Sequence, residues 1–283
     1  DPYTLTTEFL EDRNIPVPSI YATSPDEGVM IIEDLGDRSL QDCYHENRCD
    51  TMQVLYGQVL DVLVSMHRLD TTDNKQSGLP AFKLRFDYEK LMWELDFFNK
   101  HFVNGHCNYS LSDTEQKVQD KVFQSICSTL DQEKPLVFTH RDFHCRNIMV
   151  RDERIYLIDF QDARLGLPEY DLASLLRDAY VKLPETFIEG FLEDYYKESG
   201  DSRHPEHRRM VFSLMAVQRN LKALGTFGYQ ASVKNNPFYI QFVGILKGHI
   251  NKEIDMLMES PATDANLRRS IPDFKLLLDE LIA

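Results

Sequence analysis

The chain is expected to fold as an α+β protein, and three features of its 283 residues carry that expectation. Short apolar runs rich in β-branched residues occur at 17–22 and 29–33 and again at 148–150 and 155–158, lengths and compositions that suit strands. Elsewhere, long stretches repeat apolar residues at helical spacing. A hydrophobic content of 42% is enough for a packed core, and the length fits one or two domains.

Taken in order, residues 5–12 read as a short helix that stops ahead of Ile15-Pro16-Val17-Pro18, because the residue before a proline disfavours helix. Two strands follow, joined by the turn-rich Ser24-Pro-Asp-Glu-Gly28. The second ends in Glu33-Asp34-Leu35-Gly36, where a glycine permits positive φ. From 51 to 68, Met52, Leu55, Val59, Val62, Leu63 and Met66 share one helical face, and His67 at its end is expected to be a satisfied core histidine. Residues 86–102 repeat the pattern with Tyr88, Leu91, Met92, Leu95 and Phe98, and 114–130 with Val118, Val122, Ile126 and Leu130. Asp171, ahead of Leu172, Leu175, Leu176 and Ala179, reads as an N-cap. In the last third, a helix from Met210 to Leu224 is expected to close at Gly225 and Gly228. A second is expected over 238–257, and a third from Ile271-Pro272 to Leu281 with its proline near the start. Linker-like composition is confined to 70–79 and 198–205.

The chemistry concentrates between Leu136 and Asp171. Asp142 and Asn147 stand five apart with His140 two before the Asp, the spacing of a phosphoryl-transfer loop. The apolar segments on either side of Arg151-Asp152-Glu153 read as an antiparallel hairpin, whose open ends are Asn147 and Asp159. Local folding thus brings an amide oxygen and a carboxylate together, with Asp142 upstream. Hard oxygen ligands of this kind suit Mg²⁺, which completes its shell with water and substrate phosphates. Asp142 is then the group that orients an attacking hydroxyl and accepts its proton. Taken singly, each residue has a plainer reading: an Asp and Asn at this spacing arise by chance, and Asp159 can simply end a strand. A zinc site from His140, His144 and Cys145 is set aside, since no second Cys or His pair stands at finger-like spacing.

Four stretches, His140-Arg-Asp-Phe-His-Cys-Arg-Asn147, Leu157-Ile-Asp-Phe-Gln-Asp-Ala163, Tyr170-Asp-Leu-Ala-Ser-Leu-Leu-Arg-Asp178 and Gln218-Arg-Asn-Leu-Lys-Ala-Leu-Gly-Thr-Phe227, resemble the phosphotransferase family of aminoglycoside and choline kinases. Within it they most resemble bacterial kinases acting on the anomeric hydroxyl of cell-wall amino sugars such as N-acetylmuramate. The resemblance implies a protein-kinase-like two-lobed fold with a partial N-terminal lobe (1–36, including the hinge) and a mainly helical C-terminal lobe (37–283). It implies ATP as phosphoryl donor, with Mg²⁺ held by Asn147 and Asp159. It makes Glu33, Asp34 and Leu35 the hinge whose backbone meets the adenine, and His144 a supporting phosphate contact beside the base Asp142, a loop-bracing hydrogen bond being the plainer role. His140 and Arg141 brace the loop, and the residue at Asp171 bonds the loop backbone. Arg219 and Lys222 are either solvated or bind an anionic sugar substituent, and 198–205 is a candidate mobile loop near the acceptor.

The chain departs from the family in one respect. Neither a Gly-rich loop nor an early-strand lysine precedes the hinge: the first lysine is Lys75 and the first glycine Gly28. Either such residues lie upstream of Asp1, the preferred expectation, or the nucleotide site lacks its roof.

Thirty-one basic against 46 acidic residues give a net charge of −15, which argues against a nucleic-acid or anionic-membrane surface. No apolar run approaches a membrane span, and the opening Asp-Pro-Tyr-Thr, without a basic region or long apolar segment, is not expected to be a signal peptide. Five cysteines without paired spacing suit a reducing cytoplasm. The expected partner is a small-molecule acceptor, a sugar, and the oligomeric state is left open. The competing readings are a kinase of the same fold for a cationic or amino-acid acceptor (aminoglycoside, choline or homoserine), and a non-catalytic pseudokinase.

Overall fold

The computed structural model describes residues 2–46, 49–71 and 78–282, the side chains of 49–51 excepted; Lys75 and most of the 70–79 linker lie outside the described residues. The chain divides into two compact units. The first comprises Asp1–Arg85, Leu136–Asp171 and Leu183–Asp201, and the second Phe86–Pro135, Leu172–Lys182 and Ser202–Ala283.

The first unit opens with the helix Pro2–Glu11, which buries Phe9 and Leu10. The aromatic rings of Phe9, Phe82 and Phe138 meet at centroid separations of 5.2 to 6.1 Å and form part of its core. Strands β1 (Ile20–Ser24) and β2 (Val29–Ile32) form an antiparallel ribbon with Ser24 opposite Val29. The capping box of Ser39 and Asp42 then starts the helix Leu40–His45. The helix Cys49–His67 ends on His67, which is buried between Tyr195 Oη (2.8 Å) and Asp171 (3.2 Å), a satisfied core histidine as its position led one to expect. Strand β3 (Val137–Thr139) pairs antiparallel with β6 (Arg164–Gly166), and β4 (Ile148–Arg151) with β5 (Arg154–Leu157). The helix Glu185–Ser199 is closed by Gly200 in the left-handed region.

The second unit is helical, and several of its elements differ from expectation. The aromatic helix runs from Tyr88 to Phe98 and then widens into a π-helical segment, Asn99–His106, instead of continuing regularly. The long helix does not close at its glycines but runs from Pro205 to Ser232. The reason is packing. A Cβ on Gly228 would stand 2.3 Å from the His101 carbonyl oxygen, and one on Gly225 2.8 Å from Phe98 Cα. The glycines are where two helical backbones touch. After the 3₁₀ turn Pro237–Phe242 comes the helix Val243–Glu259. The last helix starts at Ala265, capped by the Asp264 carboxylate, and carries Pro272 in its interior, not near its start. A fully buried Glu253 receives Arg177 and Arg209. Among the described residues, no helix is long and apolar enough to cross a membrane.

Candidate active site

Strand β3 is fully buried and delivers the chain to His140. Arg141 then takes a φ of 82°, turning the backbone sharply. The amides of His140 and Arg141 both donate to the Asp171 carboxylate, at 2.7 and 2.9 Å, so the turn is fixed from outside the loop. Asp171 therefore has the loop-bonding role expected of it, but it is not an N-cap: its helix begins three residues earlier, at Pro168. Proline is favoured in a first helical turn, and it frees the carboxylate to serve the loop instead of its own helix.

Within the loop, Phe143 and Cys145 are completely buried and act as anchors between the polar positions. His140 Nε2 lies 3.0 Å from the Ile158 carbonyl, and Arg141 pairs with Asp162 at 2.9 Å. Both residues brace the loop. The amide of His144 donates to the Asp142 carbonyl at 3.0 Å, and the Asn147 amide to the His144 carbonyl at 2.9 Å, forming the 3₁₀ turn Cys145–Asn147.

The hairpin then forms as its sequence foretold. Ile148 faces Leu157 and Arg151 faces Arg154. Asp152 and Glu153 hold φ of 49° and 60°, both central positions of a two-residue turn with the twist the strands require. At the open end, the Ile158 amide donates to the Asn147 carbonyl at 3.1 Å, closing the ladder directly beneath the two site residues. Asn147 Nδ2 donates to the Asp142 carbonyl at 2.9 Å and lies 3.5 Å from Asp159 Oδ2. Asp159 sits at φ 65°, a conformation costly for a residue with a Cβ, and its Oδ1 accepts from Gln161 Nε2 at 2.7 Å.

Asn147 and Asp159 line a cavity of about 800 Å³. Met30, Ile32, Leu35, Met149 and Ile158 supply apolar lining, and Glu33, Asp34 and Gly36 edge it. An apolar cleft with a few polar groups on one side is the usual form of a small-molecule site. Asp142 and His144 do not line this cavity; Asp142 is joined to it through its backbone carbonyl and the Asn147 amide. Among the described residues no three His, Cys, Asp or Glu side chains gather as a metal-binding group. A cation here would rely on Asp159, the Asn147 amide oxygen, and ligands from outside the protein. That set fits Mg²⁺, which takes one or two protein oxygens and fills its octahedron with water and phosphate.

Three contributors were not anticipated from sequence. Tyr3 lines the cavity and stacks on the buried Phe160 at 5.0 Å. Gln161, two residues after Asp159, donates to its carboxylate and orients it. Arg151, read only as part of a polar turn, reaches back from β4 to the β2 exit, pairing with Glu33 at 2.6 Å and donating to the Asp34 carbonyl at 2.9 Å. No local sequence pattern announces that reach.

Comparison with known proteins agrees with this geometry. Residues 6–210 match the phosphotransferase enzyme family. The chain is 29% identical over 259 residues to the N-acetylmuramate/N-acetylglucosamine kinase of Pseudomonas putida, covering 89% of this chain and 73% of that one. It is 28% identical over 217 residues to the protein of the same name in Neisseria meningitidis, covering 75% and 62%. An aminoglycoside phosphotransferase solved with ADP superposes with a TM-score of 0.60 at 16% identity, covering 89% of this chain and 82% of that one. A choline/ethanolamine kinase family protein from Mesorhizobium loti does so at 0.59 and 15%, covering 96% and 82%. These last two share the protein-kinase-like fold. With the match extending over more than half its length, the chain belongs to the phosphotransferase enzyme family and is a small-molecule kinase.

Proposed function

We propose that the protein transfers the γ-phosphoryl group of ATP to the anomeric hydroxyl of an amino sugar of the N-acetylmuramate or N-acetylglucosamine type, with Mg²⁺. The observation that carries the reading is the Asn147–Asp159 pair lining a cavity that Glu33 to Gly36 also line. The names of the curated relatives support the acceptor class.

In this reading the apolar lining takes the adenine, with Glu33, Asp34 and Leu35 presenting backbone groups at its edge. Residues 1–36 form the nucleotide-side lobe, and 37–283 carry the catalytic loop and the acceptor site. Asn147 and Asp159 hold Mg²⁺, which, when bound, neutralises charge developing on the transferred group. Asp142 orients the sugar hydroxyl and accepts its proton. His144 steadies the phosphate. The chemistry is positioning and electrostatics, with the fixed backbone of the loop keeping the groups in place before substrate arrives.

Phosphate transfer by the full-length protein tests this, wild type against Asp142→Asn, with Mg²⁺ or EDTA and a panel of acceptors. A positioned base contributes about 10²–10⁴-fold, and a loss of that size with unchanged melting is expected. Phosphate on a cationic acceptor alone would refute the amino-sugar assignment, and an Asp142→Asn protein as active as wild type would refute the catalytic one.

A further inference from the structure

Both side chains assigned to the cation have one terminal atom already committed within the chain. Asn147 Nδ2 donates to the Asp142 carbonyl at 2.9 Å, which leaves the amide oxygen to act as a ligand. Asp159 Oδ1 accepts from Gln161 Nε2 at 2.7 Å. Its other oxygen, Oδ2, lies 3.5 Å from the Asn147 nitrogen, too long for a firm hydrogen bond. Each side chain thus offers one oxygen.

The backbone keeps Gln161 at this station. Asp159 is fixed at φ 65°, and Phe160, between the two polar residues, is completely buried and stacked on Tyr3. Gln161 then enters a turn closed by the Ala163 amide on the Phe160 carbonyl at 3.0 Å. Asp159 and Gln161 line the same cavity, all of it within the first unit. A surface glutamine ordinarily finds its partners in water, whereas this one is turned onto the carboxylate two residues before it.

We propose that Gln161 determines which divalent cation the site accepts: by occupying Asp159 Oδ1 it limits the carboxylate to one-oxygen coordination, which suits Mg²⁺ and disfavours Ca²⁺. The proposal rests on the reading in which Asn147 and Asp159 hold the metal, and adds the residue that selects it. Mg²⁺ is small, demands a near-ideal octahedron and fills it with water and phosphate oxygens, so single oxygens from two side chains are sufficient. Ca²⁺ is larger, gathers more oxygens and often takes both from one carboxylate. To do so here it must displace a hydrogen bond to a charged group. Gln161 is also neutral, so it adds no second carboxylate whose charge would tighten the site for either cation.

The test is calorimetric binding of the β,γ-imido analogue of ATP, which is not turned over, to the full-length protein with Mg²⁺ or Ca²⁺ in excess. Wild type, Gln161→Ala and Gln161→Met are compared, the methionine keeping the bulk of the side chain without its donor. Wild type is expected to bind the analogue more tightly with Mg²⁺. In both variants that preference should shrink about threefold to tenfold, through tighter binding with Ca²⁺ and little change with Mg²⁺. Equal weakening with both cations would mean a merely structural glutamine and would overturn the proposal, as would a wild type without preference. A change in Gln161→Ala alone would trace the effect to bulk and not to the hydrogen bond, and would overturn it too. Asp159→Asn separates this failure from that of the underlying reading: it should bind the analogue more weakly with Mg²⁺, and unchanged affinity would remove the metal assignment itself, and this proposal with it.

Discussion

The two units place polar groups against their cores in opposite ways. In the first, the site residues end a short ribbon, and the bonds that hold their side chains are close in sequence: Asn147 to Asp142 across five residues, Gln161 to Asp159 across two. In the second, the buried Glu253 cluster is assembled by tertiary packing. Glu253 takes Arg177 from 76 residues away and Arg209 from 44. The proposed site lies where short-range order is high, and the charges around Glu253 depend on the second unit being assembled. Damage should therefore separate: changes in the ribbon cost turnover, and changes among the helices cost stability.

The largest stability effect is expected at Glu253. Its carboxylate is fully buried, bonded by Arg177 Nε at 2.7 Å, Arg209 Nη1 at 2.7 Å and Ser213 Oγ at 2.7 Å. Glu253→Gln leaves two arginines facing a neutral amide, and breaking a buried pair in this way costs about 3–5 kcal/mol. Urea unfolding monitored by circular dichroism measures it; a loss under about 1 kcal/mol would mean that the cluster is no more than a surface-like pair. The pH dependence follows from the same contacts. Burial pushes the Glu253 carboxyl up, but the Arg209 and Arg177 guanidiniums outweigh it and hold the group below its ordinary value of 4.5. Its stabilisation is complete above that value and is lost as pH falls through the lower folded one. Wild type should thus lose stability in acid more steeply than Glu253→Gln.

A smaller effect tests the helix contact at Gly228. Because an added Cβ would meet the His101 carbonyl at 2.3 Å, Gly228→Ala must separate two backbones. Overpacking of this kind costs about 1–3 kcal/mol, against a gain of up to about 1 kcal/mol from alanine's helix propensity. Net destabilisation is expected. A more stable variant would show that the contact relaxes freely.

The same contrast decides what could be read from sequence. The hairpin was legible because alternating apolar residues and a two-residue polar turn specify it locally, and Asn147 and Asp159 followed from counting along it. Asp171 was half legible: the resemblance implied its bond to the loop, but not its place inside a helix that already starts at Pro168. Gly225 and Gly228 looked like helix stops because glycine ends helices and also lets them touch, and only the neighbour tells which. Pro272 looked like a helix start for the same reason, the true cap being Asp264. Arg219 was suspected, but its burial depends on packing that no spacing along the helix reveals.

The smallest expected effect probes a long-range link from the ribbon to the cavity edge. Arg151 joins β4 to the segment after β2 through Glu33 and the Asp34 carbonyl, across 117 residues in the second case. The pair is partly exposed, 36% for the Arg151 side chain and 15% for Glu33, so solvent and salt weaken it. Its value lies less in stability than in holding the cavity edge at a fixed distance from Asn147, since a displaced binding edge is paid for in substrate affinity. Arg151→Ala is expected to raise the KM for ATP about twofold to fivefold, with kcat within a factor of two. The wild-type KM should drift toward the variant's as salt rises, because screening removes the charged contact while leaving the chain intact. An equal drop in kcat would place Arg151 in the catalytic step instead, and a salt-independent difference would mean that the neutral bond to Asp34, not the ion pair to Glu33, positions the edge.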